Sequence, residues 1–358
     1  TFNLTQKKNA LIFRDLNYYE DRGEIGDYWY NERPMYDQVH TSLGCSARIW
    51  AEEAGPLQAT LVSEIDLVIP KKADKAGKSR SSETLALTIT TRVTLRADIE
   101  YAEVQVEFDN RHEDHYLRAM FPSGLTNATY ADAGGHFIVD HRSIYPQGPT
   151  ETSCWPDMAT QPMNNFVDVS DGTTGIVFLT DSLTEYEVMD NEERTVALSL
   201  LRSSKNWICT EMRVGSSFPL QKGGQVFGLQ RIRYALMPHM GDWSTANIPL
   251  AAERFNIPVK HVQTRRHEGF LRAGELSFFR IDNPHIRFST IKKAEHNDNF
   301  IVRLYNPLPQ TVQTDIQFPS GLREAWLVSM QELRQESVEI FHADSISLTI
   351  LPYKITSV

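Results

Sequence analysis

Cysteine is scarce in this chain. Cys45, Cys154 and Cys209 are the only three among 358 residues, separated by 109 and 55 positions. That spacing excludes CxxC redox pairs and zinc knuckles and argues against a secreted disulfide framework. A reducing, cytoplasmic location is the expectation. No run approaches the roughly 18 apolar residues that span a bilayer, so no membrane partner is expected. The opening TFNLTQKKNALIF lacks the basic-then-apolar order of a signal peptide. Positive charge is also short, since 36 Lys and Arg face 46 Asp and Glu for a net charge of −10. An acidic chain has no general electrostatic footprint for nucleic acid.

Known chemical signatures are missing as well. There is no GxSxG elbow, Walker loop, dinucleotide fingerprint or HExxH, and no strict internal repeat. Helical periodicity is rare. IPLAAERFNIP (248–258) holds about two turns between its prolines.

Alternation with period two dominates. LQATLVSEIDLVIP (57–70), LALTITTRVTLR (85–96), YAEVQVEFDN (101–110) and YLRAMFP (116–122) read as strands. Ala102, Val104, Val106 and Phe108 share one face, with acids and Gln105 on the other. Many short strands and little helix predict an all-β fold of sandwich type. The polar stretch HVQTRRHEG (261–269) marks a boundary. It gives a large domain over 1–262 and a small β-sandwich over 263–358, with six or seven strands in the latter. The basic turn KKADKAGKSRSS (71–82) reads as a solvated loop.

The stretch YYEDRGEIGDYWYNERP (18–34) packs two glycines, five acids, four tyrosines and one tryptophan into seventeen residues. Glycine next to Asp favours turns through its access to positive φ. Aromatics beside carboxylates on a loop suit a sugar. The ring covers the C–H face and the acids accept from hydroxyls. An irregular edge strand filling a core with aromatics is the alternative. The 23–30 loop is expected to be exposed and only partly ordered. His112 and His115 read as a solvated turn rather than a metal pair. His136 and His141 flank FIVD on one strand and so point to opposite faces. Glu185 with Glu187, and Asp168 with Asp171, are carboxylate pairs of the kind that serve glycosidic hydrolysis.

Several strings in order resemble one family. DRGEIGDYWYNERP, NNFVDVSDGTTGIVFLTDSLTEYEV, LSLLRS, IKKAE, IVRLYNP and LPYKITSV look like the C-terminal half of glycoside hydrolase family 38, the α-mannosidases. The resemblance implies a mutarotase-like β-supersandwich followed by the small sandwich. It implies a retaining hydrolase acting on mannose-containing oligosaccharides. The zinc and the nucleophile belong to an N-terminal catalytic domain with no counterpart here, so that domain is the implied partner. No cofactor and no catalytic residue are expected in this chain itself, which alone should be inactive. A homo-oligomer is a further family-level expectation. In the family, a tyrosine of the glycine-aspartate-tyrosine loop contacts the mannose being cleaved. That role falls on Tyr28, with Gly26 and Asp27 shaping the loop. Arg142 is the nearest match to an arginine that holds more distant sugars. A free-standing carbohydrate-binding module and a mutarotase-like epimerase using a His and a Glu are the competing readings.

Overall fold

A computed structural model describes residues 4–5, 11–13, 16–28, 30–74, 77–146, 158–205, 222–269, 274 and 276–358. The fold is all-β, with one α-helix among the described residues. It forms two compact units, Thr1–Ala133 with His141–Asp242, and Gly134–Asp140 with Trp243–Val358.

The first unit begins with a small hairpin of β1 (Leu4–Thr5) and β2 (Leu11–Phe13). Two larger sheets follow. The nine-stranded sheet is built from β5 (Ala47–Ala54), β6 (Gln58–Pro70), β7 (Thr84–Arg96), β8 (Ala102–Asn110), β10 (Tyr130–Gly134), β11 (Val139–Ser143), β13 (Phe166–Ser170), β14 (Thr174–Thr180) and β17 (Gly228–Met240). Its spatial order is β11-β10-β13-β14-β17-β8-β7-β6-β5. The six-stranded sheet uses β3 (Tyr19–Gly23), β4 (His40–Thr41), β9 (His115–Phe121), β12 (Gln161–Pro162), β15 (Glu185–Val188) and β16 (Val196–Arg202). Its order is β12-β15-β16-β9-β3-β4.

Both sheets contribute to one core, as the alternation requires. Val104, Val106 and Phe108 from one sheet share it with Leu117, Ala119 and Leu198 from the other. Phe121 meets Phe178 with ring centroids 4.9 Å apart and Tyr234 edge-on at 5.8 Å. One polar contact lies inside this core: the Tyr19 and Thr91 hydroxyls share a hydrogen bond of 2.6 Å between the sheets.

The second unit has its own core, including Val302, Leu304, Ile316 and Leu348. Four strands, β18 (Arg280–Ile281), β21 (Val312–Gln317), β25 (Ser345–Ile350) and β24 (Ile340–Phe341), form one sheet. The other contains β19 (Arg287–Lys293), β20 (Phe300–Tyr305), β26 (Ile355–Ser357), β22 (Trp326–Val328) and β23 (Arg334–Ser337). The division of the chain falls at Asp242, earlier than the polar stretch suggested. The helix Ile248–Asn256 belongs to this unit because Glu253 pairs with Arg287 at 3.2 Å and Asn247 donates to the Pro284 carbonyl. The hairpin tip 134–140 also joins it, with Phe137 packed edge-on against Tyr305 at 5.0 Å. No helix among the described residues is long and apolar enough to cross a membrane.

Replacing Tyr19 with Phe strands the buried Thr91 hydroxyl at the centre of the first unit. Urea denaturation should show a loss of about 1–3 kcal/mol with an unchanged m-value. Wild-type stability in Tyr19→Phe would contradict this role.

Candidate functional site

The acid- and aromatic-rich segment leaves the end of β3 at Gly23 and forms a tight loop over residues 24–32. Its backbone closes on itself, with Ile25 N donating to Glu32 O at 2.8 Å and Asp27 N to Tyr30 O at 2.9 Å. The Asp27 side chain is fully buried and accepts from Tyr30 N at 2.9 Å. It caps the turn from inside. Gly26 is required by crowding rather than by positive φ: a Cβ there would lie 2.0 Å from Tyr30 O and 2.7 Å from Glu32 N. Gly23 is likewise not a positive-φ residue, and a Cβ there would meet the Pro34 ring at 2.7 Å. The positive-φ expectation for this pair is thereby corrected.

Glu24 organises the loop from below. Its carboxylate is 1% exposed, and Oε1 accepts from Gly26 N at 2.6 Å and Glu32 N at 3.1 Å. Oε2 accepts from Arg202 Nε at 2.9 Å. Arg202, at the end of β16, also donates to the Asp27 carbonyl, and Ser204 Oγ donates to the Gly26 carbonyl at 2.6 Å. Burial raises the Glu24 pKa, against the Arg202 charge and the backbone donors that lower it.

Tyr28 points outward from this frame and is 53% exposed. Its hydroxyl lies against the turn at Gly224, where an added Cβ would be 3.1 Å from Tyr28 Oη and 2.4 Å from Ser204 O. The expectation of an exposed loop is corrected at Gly23, Glu24, Gly26 and Asp27, which are buried. Trp29 lies outside the described residues. Arg142, on β11, donates to the Pro162 carbonyl at 2.5 Å. Two residues before Pro162, Thr160 Oγ1 accepts from Asn31 of the loop at 3.2 Å.

Beneath the loop is a buried polar network. His115 joins Asp21 Oδ2 through Nδ1 at 2.6 Å and Asn110 Oδ1 through Nε2 at 3.1 Å. Arg80 pairs with Asp21 at 2.6 Å. Burial works against the Asp21 charge, but His115 and Arg80 together hold its pKa below the usual carboxylate range. Gln225 bonds Asp114, and Glu24 N donates to Asp114 O at 2.9 Å, so the network reaches the loop. The solvated-turn reading of His112 and His115 is overturned, since both are fully buried. The basic turn over 71–82 is not wholly solvated either, because the Arg80 side chain is only 3% exposed.

Glu185 and Glu187 share the half-exposed face of β15, as expected. Glu187 is an ion-pair partner of Arg118. Asp171 accepts from the backbone of its own turn, while Asp168 is buried on β13 beside Asp132 of β10. His239 crosses β14 to reach Asp168 at 2.6 Å, over Gly175, where a Cβ would strike its ring at 2.4 Å. His141 pairs with Asp132 at 2.7 Å, whereas His136 sits in the hairpin turn, so the two do not share a strand. Among the described residues no group of three His, Cys, Asp or Glu is placed to hold a metal ion. A cavity of about 840 Å³ opens in the second unit between apolar walls. Its acids are already paired, Asp298 with Lys293, Glu324 with Arg334 and Glu332 with Lys292.

Residues 2–206 match the glycosyl hydrolases family 38 C-terminal domain, and residues 285–358 match the family 38 C-terminal beta sandwich domain. The chain belongs to glycoside hydrolase family 38. A putative mannosylglycerate hydrolase from Halalkalibacterium halodurans is 24% identical over all of this family 38 chain and 39% of its own length. The mouse alpha-mannosidase 2C1 is 25% identical over 75% of the chain and 24% of its own length. An alpha-mannosidase structure from Enterococcus faecalis shares the fold at 22% identity, with a TM-score of 0.83. It covers 99% of this chain and 40% of the solved one. The chain thus spans well under half the length of these relatives.

The sequence singled out Tyr28, Gly26 and Asp27, which lie on this loop, and gave no sign of Glu24, Arg202, Ser204 and Gly224, which hold or abut it. Glu24 and Arg202 lay inside the family-like strings DRGEIGDYWYNERP and LSLLRS. Their pairing across 178 positions had no local signal.

A pH dependence follows from the Asp168–His239 pair. Burial raises Asp168 to about 6. Burial opposes the His239 charge, but the bond to Asp168 and its charge outweigh this and raise His239. Both groups hold protons more tightly folded than unfolded. Their contribution is full below their ordinary values and is lost as pH rises through the folded ones. Between about pH 4 and 6, wild type should lose stability relative to Asp168→Asn. A pH-independent difference between their urea midpoints would contradict the assignment.

Proposed function

We propose that this family 38 chain is the substrate-completing part of a retaining, zinc-dependent α-mannosidase. The observation that carries the reading is Tyr28: among the described residues of the 24–32 loop it is the exposed one, and it follows the buried, hydrogen-bonded Gly26 and Asp27. The hydroxyl of such a residue donates to, or accepts from, a sugar hydroxyl without reorganising the loop. Gly26 and Asp27 act indirectly, by shaping the turn. Arg142 is the proposed contact to a more distant sugar, reached through the 160–162 segment.

The described residues do not form a zinc site. Zinc and the carboxylate nucleophile are assigned to the catalytic domain of the longer enzyme, where a glycosyl-enzyme intermediate forms and is hydrolysed. This chain contributes positioning of the sugar. The names of the relatives, alpha-mannosidase and mannosylglycerate hydrolase, support a mannosyl substrate. By itself the chain should not hydrolyse aryl α-mannosides. Turnover by the purified chain at an ordinary glycosidase rate would overturn that division of labour.

Tyr28→Phe removes one neutral hydrogen bond, worth about 0.5–1.5 kcal/mol. In the full-length enzyme kcat/KM for an aryl α-mannoside should fall roughly three- to tenfold, with an unchanged thermal midpoint. Unchanged kinetics would end the substrate-contact reading.

A further inference from the structure

Glu24 is a buried acid that the proposed reaction does not use. Its two oxygens divide their work. Oε1 ties both ends of the loop through the Gly26 and Glu32 amides, and Oε2 holds the Arg202 guanidinium. Arg202 then reaches over to the Asp27 carbonyl, immediately before Tyr28. Ser204, two residues beyond Arg202, holds the Gly26 carbonyl, and its own backbone N–H donates to Gly224 O at 3.0 Å. Gly224 is the surface on which the Tyr28 hydroxyl rests. One carboxylate and one guanidinium therefore connect the start of the loop to its apex, and Ser204 joins the apex to the wall against Tyr28.

We propose that Glu24 and Arg202 form a positioning clamp that fixes the direction of the Tyr28 hydroxyl. This rests on the reading of Tyr28 as a sugar contact and adds the residues through which that contact is set. The clamp residues act through Tyr28 and are not themselves catalytic.

The chemistry of the pair dictates the variants. In Glu24→Gln the amide oxygen still accepts from Gly26 and Glu32, so the loop keeps its closure. The amide NH2 then faces the Arg202 Nε–H, donor against donor, and the guanidinium loses its anchor. In Arg202→Lys a single ammonium replaces a planar fork and cannot serve the Glu24 carboxylate and the Asp27 carbonyl in the same geometry.

A merely structural role would lower stability and add to any other defect. A clamp acting through Tyr28 gives non-additive kinetics. The test is a double-mutant cycle in the full-length enzyme, with an aryl α-mannoside as substrate and the thermal midpoint recorded for each variant. Glu24→Gln and Arg202→Lys should each lower kcat/KM by about as much as Tyr28→Phe does, roughly three- to tenfold, when Tyr28 is present. In the Tyr28→Phe background the same changes should cost no more than about twofold. A cost in Tyr28→Phe alone, followed by full additivity with both clamp variants, overturns the clamp and leaves the Tyr28 contact standing. No cost in Tyr28→Phe removes the contact reading, and the clamp falls with it. If Glu24→Gln fails to fold, Arg202→Lys decides, because its side chain is 15% exposed and Lys retains the charge.

Discussion

The arrangement depends on a single buried carboxylate. Placing Glu24 in a site 1% exposed is unfavourable unless every lone pair finds a donor. Two backbone amides and a guanidinium supply those donors, and each comes from a segment that must be in place for the loop to exist. Satisfying Glu24 thus specifies the loop closure and the path of the chain after β16 together. Packing alone would not select this conformation, since Tyr28 gains little burial from it.

The second constraint is the polar layer beneath. Asp21, Arg80, His115 and Asn110 are buried and mutually paired. Removing any one member leaves the others charged or unpaired in a low-dielectric site. Gln225 and Asp114 link that layer to the 24–32 loop and to the turn that meets Tyr28. The exposed face at Tyr28 is accordingly held by hydrogen bonds, while the two sheets behind it are held by apolar packing.

The sheets were legible in the sequence because alternation is local. Residues 102–108 show buried and half-exposed positions in the order their side chains dictate. The helix at 248–256 was legible from its prolines and apolar spacing. Strand β23 was not, since all four of its residues are exposed and polar or charged and leave no alternation to read. Burial of charged residues was the largest gap. His115 and Asp21 are 94 positions apart, and Gln225 and Asp114 are 111 apart. A histidine in a turn looks solvated until its distant partner is known. The glycines of the loop were found for the wrong reason, as close approach and not φ makes them necessary.

Native-state hydrogen exchange on the free chain tests the central claim, that the loop is pre-organised by Glu24 before any sugar arrives. The account predicts that the Gly26 and Glu32 amides are protected in the absence of ligand to a degree comparable with amides of β9 and β16. Exchange of both at the rate of an open loop, slowing only when a mannoside is added, would contradict it.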